Sequence, residues 1–145
     1  MTNLAEHQPD CPFCAIASGA LGCHKVYADA SVTAFMDKNP INPYHLLVIP
    51  NVHVADFYEL DDATYVAVMR VVKKMAAIVK SLAAPQKVGL VVAGFDVPHA
   101  HIHVIPMHDY HDITSRHYIE GTLVRPDDAE LARNAAEIKS ALGMS

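Results

Sequence analysis

The chain has 145 residues, of which 52% are hydrophobic and 19% charged, and its formal net charge is −5. This length and composition predict one globular domain with a single core and exclude a disordered chain. No basic run could follow a nucleic-acid backbone, and no apolar run approaches the roughly 18 residues that span a bilayer. Because the N-terminus lacks a signal-peptide pattern, we expect a cytoplasmic protein with neither nucleic acid nor membrane as partner.

The predicted elements are short strands and two helices. Apolar residues at three- and four-residue steps predict a long helix from about 61 to 83 and a closing helix from 131 to 142. Residues 108–125 show no regular pattern. This order of elements indicates an α+β domain with a mainly antiparallel sheet. Strands are predicted where β-branched, aromatic and apolar residues concentrate, at 24–29, 31–37, 44–50, 87–94 and 99–107.

Two cysteines near the N-terminus have the spacing of a metal knuckle or a redox motif. Cys11 and Cys14 enclose Pro and Phe. A redox pair usually opens a helix that follows a strand, whereas this pair follows a short polar leader. A zinc site would need two more ligands, which the ten histidines of the chain can supply. Cys23 has no evident partner.

Three histidines alternate with apolar residues in "HAHIHVI", residues 99–105. On a strand, His99, His101 and His103 would share one face over roughly 13 Å, with the apolar residues on the other face. A merely polar face would not require histidine. Two chemistries fit the pattern: chelation of a zinc ion with one position open to water, or attack of the middle imidazole on phosphorus.

The triple-histidine segment resembles the signature of the histidine triad, or HIT, family. The upstream block "FMDKNPINPYHLLVIPNVHV" (35–54) and the start "CPFCAIASG" (11–19) are similar to the bacterial zinc-containing branch. The similarity covers about 11–107, and the tail 108–145 only loosely. It implies a single HIT domain over 1–145, with a five-stranded antiparallel sheet, one long helix and a C-terminal helix. It also implies a homodimer whose sheets join across the subunits.

The resemblance further implies a nucleotide hydrolase or transferase that cleaves a phosphorus bond at the α-phosphate. Its substrate would be a nucleoside 5′-phosphoramidate or a related adenylylated compound, with a purine nucleotide as ligand. His101 would form a covalent nucleotidyl-histidine, His45 would stand near the phosphate and leaving group, and His103 would donate to a phosphate oxygen. The implied nucleotide site comprises Phe13, Ile16, Leu21 and Phe35 at the base, Asp37 at the ribose, and Gly94 and Asp96 at the phosphate.

A structural zinc ion is implied as well. In relatives with this N-terminal pattern, four protein ligands form a closed tetrahedral site, which holds the fold and leaves no position for catalysis. Such a site would attach the N-terminal segment to the histidine-bearing strand. By position, the ligands here are Cys11, Cys14, His53 and His99.

The loop before the triad, "VVAGFDVPHAH", departs from the family pattern. It is shorter, Ala93 stands where the family has Asn, and Phe95 replaces a Gln, which disfavours the dinucleoside polyphosphate hydrolases. Asp96 would repel a phosphate unless it is neutralised, or it would instead orient a triad histidine. Two alternatives therefore stay open: a nucleotide-binding protein with slow turnover, and a hydrolase with an open catalytic zinc bound by the triad.

Overall fold

A computed structural model describes residues 8–113, 120–121 and 125–143. All five strands join in one antiparallel sheet of order β1-β2-β3-β5-β4. This architecture confirms the predicted α+β class, with one long helix and a C-terminal helix. The elements are α1 (Pro12–Ser18), β1 (Lys25–Ala28), β2 (Val32–Met36), β3 (Leu46–Pro50), α2 (Asp62–Ala83), β4 (Lys87–Val91), β5 (Ile102–Met107) and α3 (Asp128–Ala141).

The main core lies between one face of the sheet and the helices α2 and α3. Alternate residues of β3 and β5 point to this side, so that Val48, Ile102 and Val104 pack with Met75 of α2 and Ile138 of α3. Val48, Met75, Val104 and Ile138 are each fully buried. The predicted placement of the apolar residues between the triad histidines on the far face is therefore confirmed for β5.

The opposite face of the sheet carries a smaller core that α1 covers. Phe35, Leu47 and Ile49 contribute the strand side, and Ile16 contributes the helix side. Because both faces are packed, β3 is apolar throughout, as its near-continuous hydrophobic run predicted. This second face is the one on which the functional groups gather.

The short helix α1 was not predicted. Its N-terminus is capped by the Cys11 side chain, which accepts a hydrogen bond from the Cys14 amide, and Pro12 occupies its first turn. Gly19, with φ of +85°, ends it in the left-handed conformation. Seven residues are too few for an independently stable helix, so its packing on the sheet is what sustains it.

Two strand boundaries next to the triad differ from the prediction. Strand β5 begins at Ile102, three residues later than expected, because the preceding segment bonds elsewhere: the Ala100 amide donates to the Val54 carbonyl. Strand β4 ends at Val91, which pairs with His103, and Gly94 then turns the chain with φ of +83°. The triad therefore does not lie on one continuous strand.

Other boundaries follow local signals closely. Helix α2 begins after Asp61, whose side chain accepts from the Thr64 amide, and it ends at Ala83, with Ala84 as its C-cap before Pro85. Helix α3 starts three residues before its predicted first apolar position. The predicted irregular stretch 108–125 contains a 3-10 helix at Tyr110–Ile113, and 114–119 and 122–124 lie outside the described residues. The extent of one HIT domain over 1–145 stays a prediction.

Among the described helices, none combines the length and the hydropathy that crossing a bilayer demands.

Candidate active site and metal centre

Two cysteines and two histidines from three parts of the chain meet at the start of α1. Cys11 caps this helix and Cys14 lies in its first turn, so both sulfurs are directed to one side. The histidines come from the loop after β3 and from the segment before β5. Their ligand atoms and the two sulfurs all lie within 4.8 Å of one another. The set, called the Cys–His cluster below, is Cys11, Cys14, His53 and His99.

The distances in the Cys–His cluster fit a tetrahedral metal ion. Cys11 Sγ lies 3.4 Å from His99 Nδ1, and Cys14 Sγ lies 3.3 Å from His53 Nδ1 and 3.5 Å from His99 Nδ1. Zinc–ligand bonds of about 2.0–2.3 Å predict edges of roughly 3.3–3.8 Å between ligand atoms. The cluster could therefore hold a metal, and its thiol and imidazole donors are those that zinc prefers.

A hydrogen bond to the main chain fixes the ring of His99. This ring is fully buried, and its Nε2 lies 2.8 Å from the carbonyl oxygen of Pro50. A carbonyl can only accept, so Nε2 carries the ring proton and donates it. In the neutral imidazole the lone pair then lies on Nδ1, the atom that faces the sulfurs. Metal-binding histidines are commonly oriented in this way.

The two cysteines of the cluster are free thiols. Burial raises the pKa of Cys14, neighbouring Cys11 adds to the increase, and the Gln8 amide opposes it. A buried thiolate is unfavourable without a cation, so deprotonation would accompany metal binding. No strand precedes α1 in the part of the chain that the structure describes, so the pair also lacks the usual setting of a redox motif.

His101 is oriented by the carbonyl oxygen of His99, two residues before it. Its Nδ1 lies 2.7 Å from that oxygen and therefore carries a proton that it donates. The neutral ring then has its lone pair on Nε2. The Phe13 ring meets it edge to face, with centroids 4.9 Å apart, and only 7% of His101 is exposed. A fixed imidazole with a free Nε2 lone pair is suited to nucleophilic attack.

A chain of hydrogen bonds connects the remaining two histidines. The Ile41 amide donates to His45 Nδ1 over 3.0 Å, so the proton of neutral His45 lies on Nε2. His45 Nε2 lies 2.9 Å from His103 Nδ1, which therefore accepts. Neutral His103 is left with an N–H at Nε2. Asp37 Oδ2 lies 3.4 Å from His45 Nε2 and 3.8 Å from His103 Nδ1.

Burial keeps both of these imidazoles neutral at pH 7. It lowers the pKa of His103 to about 4, and the neighbouring His45 and His101 add to the decrease while Asp37 opposes it. Burial also lowers the pKa of His45, again against the attraction of Asp37. This neutral state agrees with a hydrogen bond in which one ring donates and the other accepts.

The group formed by Asp37, His45 and His103 also has its ligand atoms within 4.8 Å of one another. The Ile41 amide argues against a metal there, because it uses the single lone pair of neutral His45. Nε2 of that ring then has a proton and no lone pair to offer. Since His99 faces the cysteines, an open catalytic zinc bound by the triad fits the geometry poorly.

Three of the four residues predicted for the base pocket lie in the smaller core. Ile16 and Phe35 are buried there, and Phe13 packs against them, with its ring centroid 5.6 Å from that of Phe35. Leu21 lies apart from this cluster, beyond the end of α1, and is 45% exposed. The nucleotide-binding roles of all four residues stay predictions.

A small cavity lies next to His101, and its lining includes Gly94 but not Asp96. Gly94 lines it, together with residues 55–58, which the sequence analysis did not assign to a site. Asp96 is exposed and lies outside this lining. The His99 carbonyl orients the ring of His101, and the roles considered for Asp96 stay predictions.

The groups that sequence reasoning missed are mainly backbone groups. The His99 and Pro50 carbonyls and the Ile41 amide fix the orientation of three imidazoles. Side-chain identity carries no information about them. The Asn-Pro pairs of the 37–43 segment indicated a loop, but nothing in that pattern indicated which amide would point at His45.

Comparisons with known proteins agree with this fold. The profile of the HIT domain matches residues 19–110. A HIT-like protein of Borreliella burgdorferi is 38% identical over 104 residues, covering 67% of this chain and 75% of that protein. The adenosine 5′-monophosphoramidase of Schizosaccharomyces pombe is 35% identical over 98 residues, covering 66% and 73%. A HIT-like protein of Bartonella henselae superposes with a TM-score of 0.77 at 27% identity, covering 93% and 98%.

The chain belongs to the HIT domain family, as the resemblance predicted.

Replacing His103 with Asn should make the free energy of unfolding less sensitive to acid. The unfolded imidazole titrates near 6.5 and the folded one at about 4, so the unfolded state gains its proton first. Stability is therefore lost as the pH falls through this window, by about 2 kcal/mol between pH 6.5 and pH 5. Urea unfolding of the wild type and of His103→Asn at several pH values measures this pH dependence of stability.

In that experiment, the wild type and His103→Asn are compared by their free energies of unfolding. At about pH 8 the difference between these free energies reports only the missing packing and hydrogen bonding of the ring, because His103 is then neutral in both the folded and the unfolded state. The difference must shrink or reverse toward pH 5. An unchanged difference across the whole window would contradict the lowered pKa of His103.

Proposed function

We propose that this protein cleaves a phosphorus bond at the α-phosphate of a nucleoside 5′-phosphoramidate or a related adenylylated compound, acting as a hydrolase or transferase. A related member of the family, named an adenosine 5′-monophosphoramidase, supports this reaction class. The observation that carries the proposal is the hydrogen bond between His101 Nδ1 and the His99 carbonyl. It leaves the Nε2 lone pair of His101 available to attack phosphorus.

In the first step, His101 Nε2 attacks the α-phosphorus. A bond forms between nitrogen and phosphorus, and the bond to the leaving amine breaks, its electron pair going to the amine nitrogen, which takes up a proton from solvent. The ring becomes positively charged in the resulting nucleotidyl-histidine. Because Nδ1–H still points at the His99 carbonyl, that oxygen stabilises the charge as it develops.

In the second step, water attacks the same phosphorus atom. The bond between phosphorus and His101 Nε2 breaks, the electron pair returns to the ring, and a nucleoside monophosphate with one added hydroxyl is released. The water proton passes to solvent or to a neighbouring base. When another nucleophile takes the place of water, the same intermediate gives group transfer.

His103 and His45 form a donor relay beside this reaction. His103 would donate its Nε2–H to a phosphate oxygen, and it is neutral and already a donor at pH 7. His45 is only 1% exposed and lies behind His103, so it would act through that ring and make no direct contact with the phosphate. This refines the expectation that His45 stands near the leaving group.

The nucleoside would occupy the second face of the sheet. Phe13, which is partly exposed and packs on the buried Phe35 and Ile16, would offer an apolar surface to a purine base beside His101. Asp37 would hold the ribose hydroxyls: the Asn39 amide donates to its Oδ1 and fixes the carboxylate, whose remaining lone pairs can accept from hydroxyls, while its Oδ2 lies beside His45 Nε2. Gly94 is assigned to the phosphate. The exposed positions of Leu21 and Asp96 give their predicted roles less support.

We also propose that the Cys–His cluster holds zinc. Four protein donors would complete the coordination and leave no position for water, so the ion would be structural. It would connect α1 to the loop after β3 and to the segment before β5, and thereby add to the free energy of folding. No step of the reaction proposed above requires it.

The predicted homodimer finds support in the edge strand β4. None of its residues is buried, Leu90 is 45% exposed, and Lys87 is its only charged residue. An uncovered apolar edge of this kind favours pairing with another strand. The other edge, β1, carries a register irregularity next to Lys25 and is partly covered by α3. We therefore propose that the sheets of two subunits join through β4.

Replacing His101 with Asn should lower turnover of adenosine 5′-phosphoramidate by at least about a thousandfold, because the attacking nitrogen is lost. Binding of AMP should remain measurable. His108→Asn removes an exposed histidine just beyond β5 and serves as the control, with turnover near that of the wild type. Turnover in His101→Asn equal to that of the wild type would rule out the covalent mechanism.

Mass spectrometry after rapid quenching separates an enzyme from a protein that only binds nucleotide. The wild type mixed with substrate should give a nucleoside monophosphate adduct on the peptide that contains His101. Bound nucleotide with neither adduct nor turnover would favour the binding protein instead.

The double variant Cys11→Ser, Cys14→Ser should contain no zinc by metal analysis and should unfold at a lower temperature, because two of the four ligands are gone. Cys23→Ser is the matched control, since Cys23 is not part of the cluster. A full zinc content in the double variant would show that the assignment of the Cys–His cluster is wrong.

The variant Leu90→Lys should be monomeric, because a charged side chain on an edge strand opposes pairing. Val66→Lys places the same charge on an exposed apolar position of α2 and should leave the dimer intact. Analytical ultracentrifugation gives the mass. A monomeric wild type at micromolar concentration would contradict the proposed dimer.

A further inference from the structure

Tyr44, the residue directly before His45, has a backbone conformation that tyrosine rarely adopts. Its φ is +78°, in the left-handed region. The His45 amide donates to the Asn42 carbonyl over 3.1 Å, which closes a turn with Pro43 and Tyr44 at its centre. A type II turn requires positive φ at this third position, where glycine is favoured. A tyrosine there is strained, and such a conformation persists only where the surrounding structure holds it.

The side chain of Tyr44 is held from the C-terminal helix. Its ring is partly buried against the main core, and its hydroxyl donates to Glu137 Oε1 of α3 over 2.7 Å. Burial and this hydrogen bond raise the pKa of Tyr44 to about 12, so the hydroxyl remains a donor throughout the physiological range. The interaction thus links residue 44 to an element that contributes no predicted site residue.

A second contact ties the same loop to the same part of the chain. Arg125, which precedes α3, donates from Nη1 to Asn39 Oδ1 over 2.6 Å. On the other side, Asn42 Nδ2 donates to the Pro106 carbonyl of β5 over 2.8 Å. The segment 37–45 is therefore fixed from two directions, and it contains both Asp37 and His45.

The position of the turn determines the orientation of the His45 ring. Ile41, whose amide fixes the tautomer of that ring, lies one residue before the turn, and His45 closes it. A change in the backbone at Tyr44 would alter the distance between the Ile41 amide and His45 Nδ1. That distance decides whether His45 presents its proton to His103 Nδ1.

We propose that Tyr44 is a positioning residue, which, anchored by Glu137, holds the strained turn so that His45 keeps the tautomer that donates to His103. The inference rests on the proposed function for its effect on catalysis. It assigns a role in the active site to α3, through a single hydroxyl–carboxylate contact.

The variants Tyr44→Phe and Glu137→Ala each remove this contact. Each should lower kcat for adenosine 5′-phosphoramidate by about three- to tenfold, with KM little changed, because one solvent-accessible hydrogen bond is lost. Glu137→Gln keeps an acceptor oxygen and should behave like the wild type. Tyr27→Phe is the matched control, since it removes another tyrosine–carboxylate bond, to Asp29, on a strand of ordinary conformation.

Two further variants separate the effect of losing the hydrogen bond to Glu137, called the anchor, from the effect of the backbone strain at residue 44. Tyr44→Ala loses the anchor and keeps a side chain in the left-handed region, so it should be the most impaired. Tyr44→Gly also loses the anchor but adopts positive φ without strain, and should recover part of the lost kcat. Where Tyr44→Ala fails to fold, Tyr44→Phe and Glu137→Ala carry the test.

A readout independent of turnover is the nitrogen NMR spectrum of the His45 ring. The wild type should show Nδ1 unprotonated and Nε2 protonated. Tyr44→Phe and Glu137→Ala should shift both signals toward a mixture of tautomers and speed hydrogen exchange of the Ile41 amide.

Unchanged His45 signals and unchanged kcat in these two variants, even with lowered thermal stability, would overturn the positioning role and leave a merely structural one. A wild type that turns over no phosphoramidate would count against the proposed function instead. In that case the ring signals alone decide whether Tyr44 positions His45.

Discussion

The site depends on one property of neutral imidazole: it has a single proton and a single lone pair, so a partner at one nitrogen dictates what the other can do. In this protein the main chain supplies those partners. Two carbonyls accept from His99 and His101, which turns their lone pairs outward, and one amide donates to His45, which turns its proton outward. Three histidines of the same chemical type are thereby suited to the different functions proposed for them, as ligand, nucleophile and donor.

The sheet makes this division possible by presenting two packed faces. Val104 and Ile102 anchor β5 in the main core, and His103 consequently lies on the other face opposite Leu47 of β3. The hydrogen bonds between strands begin only at Ile102, so the His99 carbonyl can accept from His101 instead. A regular strand through this segment would have used its carbonyls in sheet pairing, so the proposed mechanism depends on the late start of β5.

Much of the fold and of the candidate site was predictable because side-chain pattern encodes it. The apolar period of α2, the continuous run of β3 and the spacing of Cys11 and Cys14 all gave correct elements or neighbours. What could not be predicted depends on main-chain geometry or on packing. Helix α1 is too short for a periodic signal. The positive φ of Tyr44 could not be predicted from the sequence, because tyrosine rarely adopts this conformation.

The side chain and the main chain of His99 contact different neighbours. Its ring faces the sulfurs, and its carbonyl accepts a hydrogen bond from His101, the next histidine of the triad. Any amino acid at this position would bring a carbonyl, whereas only histidine brings the imidazole. A descendant of this chain that lost both N-terminal cysteines could therefore replace residue 99 and still orient His101, the proposed nucleophile. The proposed zinc site and the proposed nucleophile could therefore be inherited separately, although they meet in one residue.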